Sequence, residues 1–246
     1  LPEIVVTGVR KTLGGLLTLE EINIKAGDGA FVGILGPSGC GKSTLFNIIS
    51  GLMRPDAGRV FIDGRDVTGR TGRVSYMRQK DLLLPSMNVL DNVSVPLVLK
   101  GMPKNKARAE AGKHFKKFGL DGFQKYYPGQ LSGGMKQRAA MLRTYLFSSD
   151  ILLLDEPFAS LDAITKKKMH SWLIGVFNEL GPTVLFITHD VEEALYLCDK
   201  VYVLSDCPTV VKLETDVPFC RPGHGRTITV PEYGAVRDAI MDALAV

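Results

Sequence analysis

The stretch Gly36-Pro37-Ser38-Gly39-Cys40-Gly41-Lys42-Ser43-Thr44 constrains this chain more than any other. An apolar run, Ala30-Phe31-Val32-Gly33-Ile34-Leu35, precedes it and reads as a buried strand. Leu45, Ile48, Ile49 and Leu52 follow at i, i+3, i+4 and i+7, the spacing of one helix face. Strand, glycine-rich loop and helix form the context that a phosphate-binding loop requires. Glycines reach backbone angles that turn successive N–H groups toward one point, and the helix start adds its positive dipole end. Lys42 reaches the β- and γ-phosphates of a nucleotide as a compact charge, and the Ser43 hydroxyl ligates magnesium in such loops. A merely structural glycine-rich turn does not account for the flanking strand and helix.

With 246 residues the chain holds a full α/β domain with a sizeable core, or one domain plus an insertion. Its net charge of +4 is mild. A solvated mixed surface explains that charge without nucleic acid as a partner. No apolar run approaches the roughly 18 residues that read as a membrane span, and no signal-peptide pattern opens the chain. It begins at Leu1 rather than Met, which raises the expectation of a few residues missing at the start. Cys40, Cys198, Cys207 and Cys220 show neither C-x-x-C spacing nor disulfide-framework density. All four are expected as reduced thiols of a cytosolic protein, with Cys40 open to alkylation but not required by the loop.

Alternating apolar residues over 4–9 and 17–24 suggest an antiparallel sheet edge, with Gly14-Gly15 as the turn. Pro55 to Gly58 reads as a turn, Val60 to Ile62 as a strand, Asp63-Gly64 as a hairpin turn and Val74 to Met77 as a further strand. From Leu82 the period becomes helical. Pro96 is expected to kink or end a helix over Val89 to Leu99. Lys104 to Phe118 reads as a basic helix, its charges a solvated face rather than a polyanion site. After the loop Tyr126 to Gly129, Met135, Ala139, Leu142 and Leu146 share helical spacing, which places Ser132 at an N-cap. A capped helix explains Ser132 alone, but not a second anion-ready helix start in one chain.

Ile151 to Leu154 reads as a strand buried on both faces, delivering Asp155 and Glu156 at its C-terminal end, where open α/β sheets bind ligands. Adjacent acids after four aliphatics are costly to bury without a cation, and a magnesium-nucleotide supplies one. A helix is expected over Ala163 to Leu180 and a buried strand over Thr183 to Ile187, ending in Thr188-His189-Asp190. A lone histidine is usually structural, but His189 falls on the presumed ligand side. Val201 to Leu204 reads as the last core strand, residues 206–232 as short β segments or loops, and Val236 to Leu244 as a closing helix.

Taken together, these residues resemble an ABC transporter ATP-binding subunit along essentially the whole chain. Gly36 to Thr44 resembles the Walker A loop, Gln79 the Q-loop glutamine, and Leu131-Ser132-Gly133-Gly134-Met135 the family signature. Ile151 to Glu156 resembles Walker B with its adjacent glutamate, Ser160-Leu161-Asp162 the D-loop, and His189 the H-loop histidine. The wording around these motifs is most similar to the nitrate/sulfonate/taurine importer group. The resemblance implies a P-loop NTPase, RecA-like core with a mainly parallel sheet. To this it adds an N-terminal antiparallel β subdomain and an inserted α-helical subdomain. The expected division is a single domain over 1–246. Residues 1–81 and 149–205 form the core with its β subdomain, 82–148 the helical signature subdomain, and 206–246 a short extension.

The resemblance also implies roles. ATP is bound by the loop residues Gly36, Pro37, Ser38, Gly39, Cys40, Gly41, Lys42, Ser43 and Thr44. Mg2+ is held by Ser43 and Asp155, with Gln79 completing or sensing its shell. Glu156 acts as general base and His189 contacts the γ-phosphate, with Lys42 and Gln79 also at the chemistry. Ser132, Gly133 and Gly134 close the ATP site of a partner subunit, and Asp162 links the paired sites. The family usually places an aromatic that stacks on adenine near the start, where this chain has Leu13, so weaker or less base-selective binding is expected.

The partners implied are a second ABC subunit, identical or paralogous, in a head-to-tail dimer, and transmembrane permease subunits. Through the permease comes an extracytoplasmic solute-binding protein. The location implied is the cytoplasmic face of the membrane. Leu82-Leu83-Leu84-Pro85 is expected either in a permease-docking groove or in plain core packing. An exporter ATPase, or a non-transport ABC ATPase, is the alternative function.

Overall fold

The computed structural model describes residues 3–148, 150–218 and 230–245. In chain order the elements are β1 (Ile4–Leu13), β2 (Leu16–Ala26), β3 (Phe31–Leu35), α1 (Lys42–Ile49), β4 (Ala57–Ile62), β5 (Arg65–Asp66) and β6 (Ser75–Met77). Then follow α2 (Val89–Leu99), α3 (Lys104–Gly112), α4 (Gly133–Phe147), β7 (Ile151–Asp155), α5 (Ala163–Leu180) and β8 (Thr183–Ile187). The chain ends with α6 (Val191–Leu197), β9 (Lys200–Leu204), β10 (Val211–Asp216) and α7 (Val230–Leu244). Two compact units divide it: Leu1–Arg73 with Gly181–Val246, and Val74–Leu180.

In the first unit, β2-β1-β4-β5 form an antiparallel sheet. Its alternation buries Ile4, Val6, Ile22, Ile24, Val60 and Ile62 on one face, as period-2 patterning requires. Beside it, β3 pairs in parallel with both β8 and β9, while β10 adds to β9 in antiparallel. Every residue of β3 and β8 is buried, which is why, apart from Thr183, both read as apolar runs. The Phe31 N–H donates to Asp199 Oδ2 at 2.8 Å, and the Gly29 N–H to Thr183 Oγ1 at 3.0 Å, tying the entry of β3 to its neighbours.

Several expectations shift here. Leu52 is 59% exposed and lies outside the helix whose face it was expected to share. The helix stops at Ile49 because Gly51 adopts φ +77, where a Cβ would stand 2.2 Å from the Arg70 carbonyl oxygen. Val201 to Leu204 lies in β9, the last strand of the core, and the half-buried β10 falls in the 206–232 stretch expected to hold short β segments or loops. The closing helix starts at Val230 rather than Val236. Cys220 lies outside the described residues, while Cys40, Cys198 and Cys207 are thiols rather than disulfides.

In the second unit, β6 and β7 pair in parallel, Ser75 opposite Leu152 and Met77 opposite Leu154. The Ser75 hydroxyl donates to the Ser148 carbonyl at 2.9 Å and accepts its N–H at 2.7 Å, fixing the entry of β7. Arg108 of α3 makes two bonds of 2.7 Å to Asp91 of α2. Pro96 does not end α2, which runs on to Leu99. Lys104 to Phe118 is helical only as far as Gly112, after which the chain continues in turns. Asn92 is fully buried; its amide donates to the carbonyls of Leu84, Met87 and Asn88 and accepts the Leu84 N–H at 2.7 Å. Arg143 of α4 donates to the carbonyls of Asp81 and Leu82 at 2.5 and 2.8 Å. Of the leucines after Gln79, Leu83 is buried while Leu82 and Leu84 are exposed, so core packing accounts for one of the three. Among the described residues no helix is long and apolar enough to cross a membrane.

Candidate nucleotide-binding site

The first unit carries the glycine-rich loop, between β3 and α1. Lys42 is only 7% exposed, and its ammonium donates to the carbonyls of Gly36 at 2.7 Å and Pro37 at 2.6 Å. A buried ammonium needs such partners, and these two carbonyls hold it inside the loop it serves. Gly41 sits at φ +106, a region that L side chains rarely adopt, and a Cβ there would stand 2.9 Å from Leu19 Cδ2. No side chain caps α1 and no acid lies in its first turn, so its positive end is uncompensated by the loop's own side chains. Ser38, Gly39 and Ser43 are exposed, Pro37 and Thr44 half-buried, and Gly36 and Cys40 buried. Burial pushes the Cys40 thiol up, with the Lys42 charge opposing, which disfavours the thiolate that alkylation needs.

His189 is exposed at the end of β8, on the strand adjoining the one that feeds the loop. Its neighbours are pinned on both sides. The Thr188 N–H donates to the Ile34 carbonyl at 3.3 Å, and the Thr188 hydroxyl donates to the buried Glu193 carboxylate. Asp190 caps α6 by accepting the Glu193 N–H at 3.2 Å. Leu13 is 38% exposed and pairs with Leu16 across the β1–β2 hairpin, from which β2 continues to Thr18 and Leu19 beside Gly41.

The second unit carries the acids and the signature. Asp155 ends β7, nearly buried, and its Oδ2 accepts a hydrogen bond from the Tyr76 hydroxyl at 3.1 Å. Burial foremost, then the Asp155 charge, push the Tyr76 phenol far above its ordinary range, so it stays a donor. Glu156 adopts φ +44, a left-handed conformation costly for a residue with a Cβ. Its carboxylate accepts from Gln79 Nε2 at 3.3 Å. Ser132 caps α4 by accepting the Met135 N–H at 3.3 Å. A Cβ on Gly134 would meet Thr165 Cγ2 at 3.2 Å, and one on Gly133 would meet Leu161 Cδ2 at 3.2 Å. The signature therefore packs on the start of α5, which Asp162 caps by accepting the N–H groups of Ile164 and Thr165 at 3.1 and 3.0 Å. Hydrogen bonds from Thr165 lower the Asp162 carboxyl.

The expected site residues thus divide between the units. One brings the phosphate loop and His189 onto adjoining strands; the other joins Gln79 to Glu156 and the signature to Asp162. Two supporting residues escaped sequence reasoning. Tyr76, on Asp155, has only the weak signal of a tyrosine in a short strand before Gln79. Glu193, behind Thr188, reads as an ordinary first-turn acid.

Comparison with known proteins follows this geometry. A sequence profile described as ABC transporter matches residues 19–159. A formylaminopyrimidine import ATP-binding protein of Halalkalibacterium halodurans is 44% identical, over 81% of this chain and 78% of the relative. A taurine import ATP-binding protein of Pseudomonas aeruginosa is 38% identical, over 91% of this chain and 87% of the relative. A nitrate import ATP-binding protein of Synechococcus elongatus is 36% identical, over 94% and 86%. A bacterial ABC transporter cassette solved as a dimer superposes with a TM-score of 0.75 at 32% identity, covering 88% of this chain and 100% of that one. The arrangement of strands and helices is accordingly that of an α/β P-loop NTPase. The chain belongs to the ABC transporter family, as one of its ATP-binding, ATP-hydrolysing subunits.

Proposed function

We propose that this subunit energises import of a small solute, of the nitrate, sulfonate or taurine kind, by ATP-driven closure and reopening of a dimer. The observation that carries the ATPase part is Lys42, an ammonium held inside a glycine-rich loop at an uncapped helix start. Relatives named for taurine and nitrate import support the solute class. The whole chain is assigned to one ABC ATPase domain. Its core and β subdomain are 1–81 and 149–205, its helical subdomain 82–148 and its extension 206–246.

Phosphoanhydride hydrolysis demands positioning and charge stabilisation. Residues 36–44 hold the phosphates through loop N–H groups and Lys42. Leu13 supplies an apolar contact to adenine. Glu156 polarises the attacking water as general base, and its bond to Gln79 orients the carboxylate until substrate arrives. His189 contacts the γ-phosphate. Ser43, Asp155 and Gln79 offer hard oxygen donors with a single carboxylate, a set that suits Mg2+ shared with substrate phosphates. Among the described residues no group of three His, Cys, Asp or Glu could hold a metal unaided. Mg2+ bound there would neutralise charge on the phosphates.

Ser132, Gly133 and Gly134 of one subunit touch the γ-phosphate in the other, and Asp162 links the two sites. A related cassette solved as a dimer in a post-hydrolysis state with ADP and Pi supports this arrangement. The remaining partners are transmembrane permease subunits and, through them, an extracytoplasmic solute-binding protein. The location is the cytoplasmic membrane face, and nucleic acid is not a partner. The deciding experiment is Glu156→Gln. It should bind ATP normally and hydrolyse it on the order of 100-fold more slowly; near-normal turnover removes the general-base assignment. Co-purification with membrane proteins tests the transport role.

A further inference from the structure

We propose that Thr209 is a positioning residue of the phosphate loop, its hydroxyl setting the orientation of the Cys40–Gly41 peptide. The inference rests on the nucleotide-binding reading of that loop. Thr209 lies far from the loop in sequence and is fully buried, between β9 and β10. Its hydroxyl donates to the Cys40 carbonyl oxygen. Its backbone is locked to β2 from both sides: the Thr209 N–H donates to the Thr18 carbonyl at 3.0 Å, and the Thr209 carbonyl accepts the Glu20 N–H at 2.8 Å. The same stretch of β2 meets the loop directly, since a Cβ on Gly41 would stand 3.0 Å from Thr18 Cγ2.

A peptide group is planar and trans, so its N–H points opposite to its C=O. A hydroxyl that holds the Cys40 carbonyl on the β2 side therefore aims the Gly41 N–H the other way. This N–H belongs to the glycine-rich turn whose donors converge on a phosphate. The left-handed φ of +106 at Gly41 makes this peptide easy to rotate, because glycine has other conformations open to it. The following carbonyl, that of Gly41, already accepts the Leu45 N–H of α1 at 2.9 Å. Without the Thr209 hydroxyl, the Cys40 carbonyl would be a buried acceptor short of a donor. One remedy would be the Lys42 ammonium, drawn from Gly36 and Pro37. Either response, a rotated peptide or a diverted lysine, removes a phosphate contact.

The test compares Thr209→Val, which keeps shape and backbone bonds but has no hydroxyl, with Thr209→Ser, which keeps the hydroxyl. ATP affinity is measured by calorimetry on the full chain, alongside thermal melting. Thr209→Val is expected to weaken ATP binding on the order of tenfold, the effect of one buried hydrogen bond. Thr209→Ser should stay within about twofold of the parent, and Thr209→Val, though melting lower for its lost buried hydrogen bond, should remain folded at the assay temperature. Thr209→Ala, also lacking the hydroxyl, replaces the valine variant should that one not fold. Unchanged affinity in the hydroxyl-free variant, or equal loss in the serine variant, overturns the proposal and leaves the nucleotide reading standing. A parent chain that does not bind ATP overturns both.

Discussion

Helices α1 and α4 both begin after glycine-rich loops, yet they begin differently. The first starts at Gly41 in a left-handed conformation, with no capping side chain and a buried lysine beneath it. The second starts at Ser132 in extended backbone, and the serine hydroxyl already satisfies one of the helix N–H groups. Ser132 and Gly133 are exposed, with no ammonium folded in among them. A third start, that of α6, is capped by Asp190 and carries Glu192 and Glu193 in its first turn, which repel an anion. The contrast separates a cradle from a lid. The α1 loop holds its own cation among glycines, whereas the α4 loop presents a neutral, serine-capped edge. In the proposed dimer, these two starts would serve two different nucleotides.

The sharpest way to break this contrast is Lys42→Ala. If α1 is the cradle, both ATP binding and hydrolysis should fall by more than about 100-fold, read by calorimetry and phosphate release. Retained tight binding would return the cradle role to the glycines alone. Next, Ser132→Arg should cut hydrolysis by on the order of 100-fold while the isolated subunit binds ATP as before. Loss of binding in that variant would place Ser132 in the subunit's own site and erase the distinction. Gly41→Ala should cost about 1–3 kcal/mol of stability, since its φ is strained for alanine and the new Cβ meets Leu19. A melting temperature equal to the parent's would show that the loop relaxes freely. The smallest effect belongs to Leu13→Tyr, which should tighten ATP binding severalfold through stacking worth roughly 1 kcal/mol. An unmoved affinity and unmoved ATP/GTP preference would take the base away from this position.

Sequence alone showed the parts whose physics is local. The runs Phe31 to Leu35, Ile151 to Leu154 and Val184 to Ile187 carry no polar side chain because both faces are covered, and each lies in a strand. The motif residues were legible for the same reason, since phosphate loop, signature and acids are each contiguous. What stayed hidden depends on contacts distant in sequence. Leu52 keeps helical spacing but lies beyond Gly51, whose left-handed backbone follows the helix end. The strand β10 was legible only as one of the short β segments or loops of 206–232, because it alternates half-buried and exposed residues, Lys212, Glu214 and Asp216 among the exposed, and no apolar run marks its bounds. Nor does any local pattern announce that Glu156 is held in a left-handed conformation, or that Tyr76 lies against Asp155.

The guanidinium of Arg143 gives the second unit a mechanical property. It grips the chain immediately after Gln79 through two carbonyls, near one end of α4. Ser132 stands at the other end, about 16 Å away at 1.5 Å of rise per residue. The segment that carries the exposed leucines Leu82 and Leu84 is thereby tied to the same continuous helix that begins at the signature serine. The apolar edge at Leu82 and Leu84 and the donor edge proposed to face a partner's nucleotide therefore ride on one helix, with Arg143 as the pin.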